Sequence, residues 1–208
     1  MMHEKNIIHT GRPIHDAEKA IIMLHGRGAD AFSMISLKDH LEINDFSILA
    51  PQATRRTWYP YSFLSAVKKN EPWLSSALEL IDEVVADLIS SGYSYQQIYF
   101  AGFSQGACLT LEYTARNPKR YGGIIAFTGG LIGDKIREHL YQGDFKQTPL
   151  FLGTSDPDSH VPLERAKASA ILFEDMNANT YFQVYPNMGH IISSEELDTV
   201  NSIFFQIS

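Results

Sequence analysis

With 208 residues, 44% of them apolar, the chain is long enough for one sizeable core and short for two, which predicts a single domain over residues 1–208. Its 17 basic residues against 24 acidic ones leave a formal net charge of −7, which repels nucleic-acid phosphates and anionic membrane surfaces, so nucleic-acid binding is a poor fit. The lone cysteine, Cys108, excludes an intrachain disulfide; the first residues contain no apolar h-region and no apolar run nears the ~18 residues of a membrane span, so the expectation is a cytoplasmic protein with no integral membrane segment.

In chain order, short apolar runs alternate with amphipathic stretches. Residues 19–26 (KAIIMLHG) and 46–52 (FSILAPQ) read as strands. An irregular stretch rich in aromatics follows, and then a helix opens at Pro72. That helix carries Leu74, Ala77, Leu78, Ile81, Val84, Val85, Leu88 and Ile89 on one face until Gly92 stops it. Residues 97–104 form the next strand, followed by a helix that Asn117-Pro118 ends. Strands are expected at 122–130, 149–156 and 180–187, with a helical pattern around His139 and a helix from Pro162. The last helix opens on a capping box, Ser193 with Glu196, and should bury Leu197, Val200 and Phe204. Nearly continuous apolar runs are the mark of strands covered on both faces, so the pattern predicts an α/β fold with a mainly parallel central sheet flanked by helices.

The densest chemical signal is Gly102-Phe103-Ser104-Gln105-Gly106, set between a strand and a helix. In a G-x-S-x-G elbow the serine occupies a strained turn, and its neighbours two residues away must be small because strand and helix approach closely. Ser104 is thus the candidate nucleophile. A serine hydroxyl needs a base, and the base a carboxylate, which in this architecture follow in the order Ser, Asp or Glu, His. Three histidines come after Ser104. His139 reads as a solvated helix residue, and His160 shares a loop with the candidate acids. His190, in a turn-rich loop between the last strand and the last helix, fits the base. The acid should come from the loop after the preceding strand, within LFLGTSDPDSHVPLERA, where Asp156 and Asp158 compete. Donors for a developing oxyanion are expected from the backbone N–H of Gln105 and of Arg27, the latter in the His-Gly turn after the first strand. His25 precedes the serine and reads as structural. Cys108, one helical turn beyond Ser104, reads as a small buried side chain. Within residues 56–78, Trp58, Tyr59 and Phe63 are either a core-packing flap or the wall of an acyl pocket.

Four stretches, LHGRGAD, AGFSQGA, SDPDSHVPLERA and YPNMGH, occur in an order that resembles the phospholipase/carboxylesterase family of α/β-hydrolases, which includes the acyl-protein thioesterases. The resemblance covers nearly the whole chain, and residues 56–78 look like its bacterial branch. It implies an α/β-hydrolase fold and a serine hydrolase without metal or other cofactor, acting on small-molecule carboxylic esters or thioesters. Arg27 departs from the aliphatic residue that often follows the His-Gly pair, and the acid loop is longer than in the thioesterases. The family's acid stands two or three residues before an aliphatic residue and proline. This matches Asp158, four before Pro162, better than Asp156, six before it and next to Pro157, where Asp-Pro suits a turn. A non-catalytic binding module on the same scaffold is the competing expectation. A dienelactone-type hydrolase of small cyclic esters is disfavoured, since its nucleophile is commonly cysteine and position 104 is serine.

Overall fold

The computed structural model describes residues 2–205. Five strands are buried along nearly their whole length: β2 (Lys19–Leu24), β3 (Phe46–Pro51), β4 (Ile98–Phe103), β5 (Gly123–Phe127) and β6 (Pro149–Asp156). With the edge strands β1 (Ile7–Gly11) and β7 (Asn179–Pro186) they make a seven-stranded sheet in the order β1-β3-β2-β4-β5-β6-β7. Every pairing is parallel except β1 with β3.

Successive residues of a strand face opposite sides, which explains why the central strands are apolar without alternation. Ile22, Leu24, Phe100 and Leu152 face one core, shared with Leu80 and Ile81 of α3 (Trp73–Ser90), Leu109 of α4 (Gln105–Arg116) and Phe173 of α5 (Leu163–Asp175). Ile21, Met23, Ala101 and Phe151 face the other, closed by Met34 of the short α1 (Ala31–Ile35) and Val200 of α6 (Ser194–Val200). A further single turn, α2 (Val67–Asn70), lies in the connection before α3. Among the described residues, no helix is long and apolar enough to cross a membrane.

Several expectations need correction. The run 180–187 is not covered on both faces: β7 ends the sheet, and Tyr181 and Val184 are exposed. Around His139 only a 3₁₀ turn forms, Glu138–Leu140, and the histidine is exposed. The last helix buries Val200 and Phe205, leaving Leu197 and Phe204 half-buried. From Asn201 to Phe205 it widens to π geometry, whose longer turn moves the inward position one residue along. β1, α1 and α2 have no counterpart in the sequence reading; all are four or five residues long, too short for a helical or alternating pattern to repeat enough to be told from chance.

Candidate active site

β4 runs into α4 through Ser104, whose backbone sits at φ 54, ψ −115, a region that costs a non-glycine residue about 1–3 kcal/mol. Surrounding contacts hold it there. Ser104 N–H donates to the Phe127 carbonyl (3.0 Å), and its own carbonyl accepts from Cys108 N–H (2.9 Å). The two glycines of the motif have steric reasons. A Cβ on Gly102 would collide with the Gly106 backbone, and one on Gly106 with the Leu24 carbonyl oxygen. Strand β2, elbow and helix therefore pack backbone to backbone.

His190 Nε2 lies 2.7 Å from Ser104 Oγ, and His190 Nδ1 lies 2.8 Å from Asp158 Oδ2. The other oxygen, Asp158 Oδ1, accepts from the backbone N–H of His160 (2.7 Å) and Val161 (2.8 Å). The Asp158 side chain is fully buried, and that of His190 is 19% exposed. Burial alone would raise the Asp158 pKa; the two N–H donors and His190 outweigh it, holding the carboxyl below its ordinary range and ionised at neutral pH. An ionised carboxylate only accepts, so Nδ1 of His190 carries the proton and Nε2 is left to accept from the Ser104 hydroxyl. Asp156, by contrast, ends β6 exposed to solvent.

Two rings also pack against the imidazole. Phe103 packs 5.2 Å from its centroid and His160 meets it edge-on at 4.6 Å. Its loop is tied to the acid loop by the buried Ser155, whose Oγ accepts from Gly189 N–H (2.9 Å) and donates to the Pro157 carbonyl (3.1 Å). Ser155 has no motif to announce it; only its place at the end of an apolar strand hints at a buried hydroxyl.

Opposite lies the turn after β2. Among the described residues, the backbone N–H groups of Arg27 and Gln105 make no hydrogen bond within the chain, and both residues line a cavity of about 440 Å³ that contains Ser104 and His190. His25 is structural: its Nδ1–H donates to the Gly26 carbonyl (2.7 Å) and its Nε2 accepts from Ala53 N–H (3.1 Å). Burial lowers its pKa, consistent with that neutral tautomer.

The side chains of Arg27 and Gln105 have a further task that sequence reading missed. The Arg27 guanidinium donates to the carbonyls of Tyr59, Pro60 and Tyr61 (2.8, 2.8 and 2.7 Å). Gln105 accepts from Trp58 N–H (2.9 Å) and donates to the Tyr59 carbonyl (2.8 Å). Together they clamp the aromatic loop over the serine. Within that loop the aromatics divide. Tyr59 and Phe63 line the cavity, whereas Trp58 does not. Trp58 is fully buried behind it, donating Nε1–H to the His25 carbonyl (2.8 Å) and packing between His3 and His25. Trp58 is therefore a core residue that braces the Arg27 turn, and its expected place in the pocket is corrected.

Cys108 also borders the cavity, but burial pushes its thiol up to about 12, so it carries no thiolate at neutral pH. Among the described residues, no group of three or more His, Cys, Asp or Glu is placed to hold a metal ion.

A profile of the phospholipase/carboxylesterase family matches residues 5–207. The chain belongs to that family. Its fold is that of the α/β-hydrolases. A crystal structure of a phospholipase/carboxylesterase from Dyadobacter fermentans is 53% identical, covers 99% of both chains and superposes with a TM-score of 0.97. Among curated relatives, acyl-protein thioesterase 1 of Saccharomyces cerevisiae is 27% identical over 95% of this chain and 96% of its own. A probable carboxylesterase, SOBER1-like, of Arabidopsis thaliana is 30% identical over 134 residues. That match covers 64% of this chain and spans about half, 51%, of the relative.

Proposed function

We propose that this protein hydrolyses carboxylic esters or thioesters through Ser104, His190 and Asp158. The reading is carried by one observation: the unbroken hydrogen-bonded line from Asp158 through His190 to Ser104 Oγ, at 2.8 and 2.7 Å, ending in an open cavity. His190 Nε2 takes the proton as Ser104 Oγ attacks the acyl carbon, and Asp158 stabilises the imidazolium formed. The negative charge that develops on the carbonyl oxygen is met by the Arg27 and Gln105 N–H groups, the second at the positive end of α4. His190 then protonates the departing alcohol or thiol. Water, activated by the same histidine, releases the acid and restores Ser104.

No co-reactant beyond water enters this sequence. The printed names of the relatives, carboxylesterase and acyl-protein thioesterase, support the same chemistry. A non-catalytic module would have no use for a strained serine aligned with a base. With p-nitrophenyl butanoate as substrate, Ser104→Ala is expected to lower kcat by about 10⁴-fold or more at unchanged fold. Near-wild-type turnover by that variant would remove the proposal.

A further inference from the structure

The two residues whose backbone N–H groups meet the oxyanion under the function proposed above stand on different elements, Arg27 in the turn after β2 and Gln105 at the start of α4. Their side chains converge on one atom. Arg27 Nη2 and Gln105 Nε2 each donate to the Tyr59 carbonyl oxygen at 2.8 Å. Arg27 also grips the next two carbonyls, Pro60 through Nη1 (2.8 Å) and Tyr61 through Nη2 (2.7 Å), so its planar fork spans three successive peptide groups. The residue is exposed, so its stem fills no core and the grip is what the side chain contributes.

The gripped loop is itself anchored. Tyr61 N–H donates to Oδ1 of the buried Asn70 (2.9 Å), whose Nδ2 donates to the Ser62 carbonyl (3.1 Å). The flanks of the oxyanion turn are tied down as well: the His25 carbonyl accepts from Trp58 Nε1–H (2.8 Å), and Gly28 N–H donates to the Arg56 carbonyl (2.7 Å). Between those ties the Arg27 N–H makes no hydrogen bond among the described residues, and the guanidinium of the same residue is what fastens it to the loop.

We propose that the Arg27 guanidinium is a positioning group for the hydrolysis: by holding the Tyr59 carbonyl in common with Gln105, it fixes the spacing of the two oxyanion N–H groups. The inference rests on the hydrolase reading and deepens it. Oxyanion donors act only when they already stand where the charge develops, so a displaced donor costs transition-state binding and leaves substrate binding nearly as it was. Loss of the grip is therefore read in kcat and not in KM.

The test uses Arg27→Met, which keeps an unbranched stem and removes every donor of the fork. Its kcat and KM for p-nitrophenyl butanoate are compared with the wild type, together with the Ki of propyl trifluoromethyl ketone. The ketone carbon takes Ser104 Oγ in a new C–O bond, its π pair moves onto oxygen as an oxyanion, and the Ser104 proton passes to His190. Counting active enzyme by fluorophosphonate titration keeps partial unfolding out of all three constants. In Arg27→Met, kcat is expected to fall about 10- to 100-fold, less than for outright removal of a donor, with KM within about twofold and Ki raised by about the factor that kcat loses. Arg27→Lys keeps the charge without the fork and is expected to recover only part of that loss. An unchanged Ki in Arg27→Met, a change in KM alone, or wild-type constants in Arg27→Lys, with turnover still abolished by Ser104→Ala, overturns this inference alone. Turnover that survives Ser104→Ala overturns both readings. Should Arg27→Met fail to fold, Arg27→Lys decides: matched partial changes in kcat and Ki support the inference, and wild-type values overturn it.

Discussion

At Asp158 one carboxylate serves two purposes with two oxygens. Oδ1 takes the N–H groups of His160 and Val161, which fix the loop, and Oδ2 takes His190. Replacing it with asparagine preserves size but puts the wrong tautomer on the imidazole or a donor against a donor. Asp158→Asn is expected to lose on the order of 10⁴ in kcat, by analogy with loss of a triad acid elsewhere, while Asp156→Asn costs far less because that side chain is exposed. Steady-state kinetics of both variants at matched thermal stability checks this, and the reverse ranking would move the acid to Asp156. From the residues alone Asp156 and Asp158 compete, and only the resemblance to the family, through its acid-to-proline pattern, favours Asp158. The donors that hold it were not legible, because they are backbone groups of the same loop.

At the scale of elements, what could be read depended on whether the signal was local. Gly102 and Gly106 report a backbone contact that any strand-to-helix elbow makes, and Ser193 with Glu196 report a helix start, found with both capping bonds in place. Trp58, Tyr59 and Phe63 lie in an irregular connection with no period, so nothing in the sequence says which of them faces a cavity. The grip of the Arg27 side chain has no local signal, since the carbonyls it holds lie 32 to 34 residues away. Glu196 has a second consequence. Its side chain is buried, one oxygen has no partner among the described residues, and burial, partly offset by the bonds to Ser193, raises its pKa from 4.5 to about 7. A raised carboxyl pKa means the fold favours the protonated form, so this contribution is fully present below about 4.5 and is lost as pH rises through about 7. The loss is on the order of 3 kcal/mol. Glu196→Gln keeps the cap acceptor and removes the charge; its unfolding temperature should pull ahead of the wild type as pH goes from 5 to 8. A constant difference across that range would contradict the assignment.

For the molecule as a whole, the sheet is what gathers distant residues. β2 and β4 are neighbours, so the Arg27 turn and the Ser104 elbow share one end of the sheet. Asp158 follows β6, and His190 follows β7 at the sheet's edge, its loop returning across that end to reach Ser104. Any strand order that separated these ends would scatter the same side chains, so the parallel arrangement and the site stand together. The central claim is that this arrangement makes Ser104 a nucleophile. A fluorophosphonate probe reacts with activated serines and not with ordinary ones, and peptide mass spectrometry locates the adduct. The account predicts a single adduct on Ser104, lost in Ser104→Ala and strongly slowed in His190→Ala. An unlabelled protein, or a label on another residue that persists in Ser104→Ala, would contradict it.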